Sequence, residues 1–170
     1  MVTAKADAQF VVGGRGTEEG RLRELASELG LEHRVRFSQY LSDDEYPSLY
    51  RLADVFFITA PVELQSITTL EAIASGLPVV GVHAGALPEL IRDGRNGFLV
   101  PPADPRAAAD ALVRLLQNED ERRAFGSHSR ALALDHDLLR SMSAYEEWLT
   151  SARQRGQGDP TFERIAAARR

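Results

Sequence analysis

The sequence contains no cysteine, one tryptophan and two methionines among its 170 residues. The lack of cysteine excludes disulfide bonds, thiolate catalysis and cysteine-ligated metal sites. No apolar run approaches the roughly 18 residues that a membrane-spanning helix needs, so we expect no membrane span. The formal net charge of −5 at pH 7 argues against nucleic acid or an anionic membrane as the principal partner.

The pattern of apolar residues predicts one α/β domain. A hydrophobic fraction of 44% is enough to supply the core of a domain of this length. We predict strands at 9–12, 35–38, 54–58, 78–82 and 97–100, alternating with helices. This alternation predicts a doubly wound, mostly parallel, Rossmann-like sheet, whose ligands bind at the carboxyl ends of the strands. We expect the domain to cover residues 1–153 and a tail to follow at 154–170.

Two glutamates lie around the start of the helix that follows the strand at 54–58. Ser66 is a plausible N-cap for this helix, which we expect to end at Gly76. Glu63 precedes the helix, and Glu71 lies on the flank of its apolar stripe, about one and a half turns inside. Because helical side chains tilt towards the N-terminus, the Glu71 carboxylate should lean back towards the loop that carries Glu63.

The N-terminus of this helix is a candidate anion site. The N–H groups of residues 66–68 have no partner within the helix, and the positive end of the helix dipole lies behind them. A carboxylate on either side of an anion site suits a ligand that carries both hydroxyl groups and phosphates. On spacing alone, a loop followed by a helix with two solvated glutamates is an equally good interpretation.

A longer pattern connects these residues with a known family. Glu63 and Glu71 have seven residues between them, and the chain continues as Leu-Glu-Ala-Ile-Ala-Ser-Gly-Leu-Pro-Val-Val over residues 70–80. Further matching segments are Gly14-Arg15-Gly16, 35–37, 53–55, 85–89 and 93–100. Over roughly residues 9–150 the chain resembles the large family of retaining glycosyltransferases that includes glycogen synthases, sucrose synthases and bacterial mannosyl- and glucosyltransferases.

The resemblance implies a role for each residue of the motif. It implies a two-domain GT-B fold, in which this chain is the C-terminal, nucleotide-sugar-binding half and another domain supplies the acceptor site. Glu63 would be the catalytic-site carboxylate that contacts hydroxyls of the transferred sugar, and Glu71 would hold the ribose hydroxyls. The backbone of Gln65, Ser66 and Ile67 would cradle the distal phosphate. The family usually has Phe-Gly in place of Gln65-Ser66, so the identity of the sugar stays open.

Gly14, Gly16 and Tyr40 are further candidates for contact with the donor. The backbone of the two glycines could approach the donor, but a tight turn that needs positive φ is the alternative for both. A dinucleotide site is a poor fit, because its third glycine position falls on Glu19, and Glu18 and Glu19 would repel a pyrophosphate. Tyr40 is a candidate to flank the base, with simple packing as the equal alternative.

The resemblance also implies that the first βα unit is missing. In the family, a strand and a helix precede the unit that begins here at Gln9, and their junction carries an arginine and a lysine that grip the donor phosphates. The missing strand would be the central one of the sheet. We therefore expect that the strands at 9–12 and 54–58 are not both fully paired: another chain fills the slot, a gap persists, or the strands pair differently.

The sequence thus predicts the donor-binding half of a nucleotide-sugar-dependent retaining glycosyltransferase that transfers a hexose in the cytoplasm. The expected partners are a nucleotide-sugar donor and an N-terminal acceptor domain, and no metal ion or other cofactor is implied. The alternatives are a non-catalytic nucleotide-sugar-binding or scaffold module and a GT-B sugar-nucleotide epimerase. The presence of Glu63 together with Glu71 favours the transferase, whereas the lack of the arginine and lysine unit favours the module.

Overall fold

The computed structural model describes residues 6–38, 42 and 44–156, with side chains up to residue 152. The described residues form the strands β1 (Phe10–Gly13), β2 (Val35–Ser38), β3 (Phe56–Ile58), β4 (Val79–Val82) and β5 (Gly97–Val100). The helices are α1 (Glu19–Glu28), α2 (Tyr46–Leu52), α3 (Ile67–Ala74), α4 (Leu87–Leu90), α5 (Pro105–Gln117), α6 (Glu119–Ala133) and α7 (Leu138–Gly156), with a 3₁₀ turn at Leu134–His136.

Strands and helices alternate as predicted, and every pair of strands is parallel. β1 pairs with β2 from Phe10 opposite Val35, while β3, β4 and β5 form a separate ladder in that order. Among the described residues no ladder joins β1 to β3. The α/β fold with a parallel sheet is confirmed, and the strands at 9–12 and 54–58 lie in two separate ladders, as expected if they are not both fully paired.

The core is built around β4, whose four residues are all buried. Helices α3, α4, α5 and α6 cover this strand, and β1 reaches the same core through Phe10. The fully buried apolar side chains with the largest volumes are Ile73, Leu87, Ile91, Leu115, Val79 and Val80. α3 and α6 cross closely, since a Cβ on Gly126 would lie 2.3 Å from the Gly76 carbonyl oxygen. The C-terminal end of α3 is therefore held tightly against α6.

Helix α2 begins at Tyr46, and Pro47 lies in its first turn. Proline is tolerated only in the first turn of a helix, because it lacks an N–H and its ring clashes with the preceding turn. The Glu45 carboxylate accepts hydrogen bonds from the Ser42 N–H at 2.8 Å and from its hydroxyl at 2.9 Å. Ser42 and Glu45 thus pair in the turn before the helix.

The chain divides into two compact units, residues 1–133 and 134–170. The second unit, as far as Gly156, consists of the 3₁₀ turn and α7. In the part of the chain that the structure describes, no helix is long and apolar enough to cross a membrane. The boundary between domain and tail at residue 153 stays a prediction.

Candidate functional site

The loop that carries Glu63 is fixed by the next βα loop. The Glu63 carbonyl accepts a hydrogen bond from the Ala86 N–H at 2.8 Å. Gly85 has φ +54°, and a Cβ on this residue would lie 2.4 Å from the same carbonyl oxygen. Only glycine combines this conformation with so close an approach. The backbone of Glu63 is therefore held in place, while its side chain is half-buried and its neighbours Val62 and Leu64 are 83% and 92% exposed.

Helix α3 begins directly after this loop. Ser66 is its N-cap residue, as predicted, but the Ser66 side chain does not cap the helix. The Ser66 hydroxyl instead lies 2.7 Å from the Thr69 hydroxyl, and both residues are buried. No described side chain therefore caps the N–H groups of the first turn. An uncapped helix N-terminus leaves these donors and the positive end of the helix dipole open to an anion.

Glu71 lies in the second turn of α3 and is exposed. Its Oε2 atom accepts a hydrogen bond from the Tyr50 hydroxyl at 2.9 Å. Burial raises the pKa of the Tyr50 phenol above its ordinary value, and the hydrogen bond to Glu71 raises this pKa further. The phenol therefore stays protonated at neutral pH and acts as the donor, and Glu71 is the acceptor.

The other predicted contacts lie on other loops. Gly14 has φ +109°, as expected for a tight turn. The expectation of positive φ at Gly16 was wrong: Gly16 is the first residue of a turn, and its carbonyl accepts a hydrogen bond from the Glu19 N–H at 3.2 Å. Tyr40 lies outside the described residues. β1 and β3 belong to separate ladders, so main-chain bonds do not fix the loop after β1 relative to the loop after β3.

The candidate site lies on the solvent-exposed surface of the protein. Gln65, Ile67 and Glu71 are all exposed. An open depression in the described surface lies at the opposite end of α3, lined by Gly76, Arg123, Gly126, Ser127 and Arg130. That depression lies away from the two glutamates. We assign the site from the arrangement of polar groups at the carboxyl ends of the strands, where ligands of parallel sheets bind.

Two residues that shape the site were not assigned roles from the sequence. Tyr50 lies 21 positions before Glu71, and no local pattern links the two residues. The available signal was a tyrosine on the apolar side of a short helix, since a buried phenol needs a hydrogen-bond partner. Gly85 belongs to a segment that matches the family, but its contact with the Glu63 backbone is visible only in the structure.

Replacing Gly85 by alanine should destabilise the protein and shift the Glu63 loop. Gly94 is the matched control, because it has φ +69° and nothing within 4 Å of a Cβ. Gly94→Ala should cost about 1–2 kcal/mol through backbone strain alone. Gly85→Ala should cost roughly another 1–3 kcal/mol through overpacking. Urea unfolding measures both variants, and equal costs would contradict a close contact at Gly85.

The family of this chain follows from comparison with known sequences. The family of glycosyl transferases group 1 matches residues 2–132. The chain belongs to this family. It is 37% identical over 152 residues to the D-inositol 3-phosphate glycosyltransferase of Corynebacterium jeikeium, a match that covers 87% of this chain and 36% of that relative. The chain therefore spans about a third of the length of this curated relative.

Solved structures agree on the fold. The crystal structure of the Anabaena protein HepE in complex with UDP matches with a TM-score of 0.78 and 26% identity, covering 88% of this chain and 43% of that one. The C-terminal domain of a glycosyl transferase group 1 family protein from Francisella tularensis matches with a TM-score of 0.65 and 22% identity, covering 75% of this chain and 87% of that one. The fold is that of the C-terminal domain of GT-B glycosyltransferases.

Proposed function

We propose that this chain is the donor-binding half of a retaining, nucleotide-sugar-dependent glycosyltransferase that transfers a hexose. The observation that carries the proposal is the position of Glu63 and Glu71 on either side of a helix N-terminus that no described side chain caps. Membership of a glycosyltransferase family supports the reaction class. The Anabaena neighbour was solved with UDP and with UDP-glucose, which supports a uridine diphosphate sugar as the first donor to test.

Each group of the site has a distinct proposed role. An ionised carboxylate is a hydrogen-bond acceptor only, so Glu63 and Glu71 suit hydroxyl donors: those of the transferred sugar and those of the ribose, respectively. The backbone N–H groups of Gln65, Ser66 and Ile67 suit the distal phosphate, with the α3 dipole behind them. Gly14 and Gly16, through their backbone, and Tyr40, beside the base, remain proposed donor contacts.

The proposed contribution of this chain to the reaction is to hold the donor. A leaving pyrophosphate gains negative charge while an oxocarbenium-like centre forms on the sugar, and fixed amide dipoles stabilise that charge without reorganising. The proposal includes no metal ion and no other cofactor. A second, acceptor-binding domain is the proposed partner. Because the donor is a nucleotide-sugar, we place the reaction in the cytoplasm.

The proposal predicts weak binding of nucleoside diphosphates that depends on Glu71. None of the residues that we assign to the site is positively charged, so we expect dissociation constants on the order of millimolar. Glu71→Ala should weaken binding by about five- to ten-fold, because it removes hydrogen bonds to the ribose. Calorimetry with UDP, GDP and ADP measures the effect.

The matched control for this experiment is Glu28→Ala. Glu28 is an exposed glutamate at the end of α1, and its replacement removes the same charge. This control should leave binding unchanged. Micromolar binding that survives Glu71→Ala would show that the nucleotide site lies elsewhere. An equal loss of affinity in Glu71→Ala and Glu28→Ala would show that the loss comes from the change in net charge and not from the ribose contact.

A further inference from the structure

Tyr50 is anchored by packing against β3 and α3. It lies on α2 and is only 8% exposed. Its ring packs against Phe56 of β3, with centroids 6.0 Å apart and planes tilted by 58°. The same small cluster contains Ala72 of α3 and Leu77, which follows that helix. Because residues of β3 and of α3 and its C-terminal end enclose the ring, the Tyr50 hydroxyl is held at the edge of α3.

The Tyr50 hydroxyl donates to the side chain of Glu71, which packing alone does not hold in one conformation. Glu71 is exposed, and a glutamate on a helix surface has several accessible rotamers. The hydrogen bond from Tyr50 at 2.9 Å selects the rotamers that bring Oε2 to the ring. The other oxygen, Oε1, has no hydrogen-bond partner among the described residues. One carboxylate oxygen is therefore held by the protein, and the other is presented to solvent.

A carboxylate held in this orientation can accept hydrogen bonds from two neighbouring hydroxyl groups. An ionised carboxylate has about four lone-pair sites and accepts from two donors at once. The phenol occupies one of these sites on Oε2 and leaves the others open. Because the Tyr50 ring already fixes the orientation, a ligand does not have to bear the ordering cost of the side chain.

We propose that Tyr50 is a positioning residue, which orients the Glu71 carboxylate towards the two ribose hydroxyls of the nucleotide. This inference rests on the proposed function and deepens it. Tyr50 itself touches no part of the ligand and acts only through Glu71. Its contribution therefore exists only for ligands that carry the hydroxyl pair, and this distinguishes positioning from general support of the fold.

The test compares two ligands and two conservative variants. Tyr50→Phe removes one oxygen and keeps the ring, while Tyr46→Phe makes the same change one turn earlier on α2, where the side chain is half-buried. UDP and 2′,3′-dideoxy-UDP are the probes. We expect Tyr50→Phe to weaken UDP binding by about three- to ten-fold and to leave binding of the dideoxy ligand unchanged. Tyr46→Phe should change neither.

A double variant links the effect to Glu71. In a Glu71→Ala background, Tyr50→Phe should have no further effect on UDP binding, because the group that it positions is absent. Equal weakening of both ligands by Tyr50→Phe, or an unchanged affinity for UDP, would overturn the inference. If Glu71→Ala itself leaves UDP binding intact, the proposed function fails as well, so the two failures are distinguishable.

A measurement without ligand tests the same contact. NMR coupling constants of the Glu71 side chain should indicate a restricted set of rotamers in the unmodified chain and averaging in Tyr50→Phe. Tyr46→Phe should leave the couplings as they are. Couplings of Glu71 that do not respond to Tyr50→Phe would overturn the positioning role, whatever the binding data show.

Discussion

Gly97→Ala is expected to destabilise the fold by at least about 3 kcal/mol, the upper end of what overpacking typically costs. Gly97 is the first residue of β5 and pairs with Val79 of the central strand β4. A Cβ on Gly97 would lie 1.9 Å from the Val79 carbonyl oxygen and 2.8 Å from its carbonyl carbon. Both atoms belong to a buried main chain that cannot move without breaking the ladder. Chemical unfolding followed by circular dichroism measures the loss.

Gly13→Ala is the control for this experiment. Gly13 also lies in a strand, but the nearest atom to a Cβ there is the Ser38 hydroxyl oxygen at 3.9 Å. This variant should keep nearly the full stability, because alanine fits without displacing anything. A Gly97→Ala protein that does not fold at 25 °C agrees with the prediction. A Gly97→Ala protein within about 1 kcal/mol of the unmodified chain would contradict a tight contact between β4 and β5.

The element boundaries that the sequence predicted best are those with strong local signals. The strand predicted at 97–100 is observed at these residues, directly after a turn that contains Gly94 with φ +69°. Helix α5 likewise has a local start signal, since the side chain of Asp104, which precedes Pro105, accepts the Arg106 and Ala107 N–H groups. β3 was predicted to start at 54 and starts at Phe56. Among the described residues β1 pairs only with β2, so β1 and β3 belong to different ladders. The alternation of strands and helices in the sequence does not show this division.

The candidate site was predictable only in part. The order of Glu63, Ser66 and Glu71 around one helix start is a local property, and the structure keeps it. The contacts that hold these residues are not local: Ala86 and Gly85 fix the Glu63 backbone, and Tyr50 fixes Glu71. Such contacts depend on which loops the sheet brings to one edge. Neither the hydrophobic periodicity nor the motif spacing of a single sequence predicts these contacts.

The hydrogen bond of Ser66 at the start of α3 could not be predicted from the sequence either. Ser66 has the residue type and position of an N-cap, and the helix does begin there. Its hydroxyl pairs with Thr69 instead of the backbone because both side chains are buried next to each other. A buried hydroxyl needs a partner, and a hydroxyl neighbour one turn away supplies it. As a result, the N–H groups of the first turn have no side-chain cap from Ser66 and stay available to an anion, as the candidate anion site requires.

The proposed function predicts a large catalytic effect at Glu63. In a two-domain protein that contains this chain as its donor-binding half, Glu63→Ala should lower kcat/KM for sugar transfer by roughly 10²-fold or more, since it removes a contact to the reacting sugar. The chain of 170 residues alone should give no measurable transfer, because acceptor activation and exclusion of water need a second wall over the donor. Product formation from a panel of nucleotide-sugars measures both.

The control for Glu63→Ala is Glu32→Ala, which removes an exposed glutamate from the turn after α1. It should keep full activity, and thermal unfolding of both variants should show that the loss at Glu63 is not a loss of folded protein. Because the Ala86 bond and the Gly85 contact involve only the backbone of Glu63, the loop should keep its shape without the carboxylate. Full transfer activity in Glu63→Ala would remove the catalytic role of this residue and favour a non-catalytic nucleotide-sugar-binding module. Transfer by the chain alone at the rate of the two-domain protein would contradict a mechanism that depends on closure of two domains.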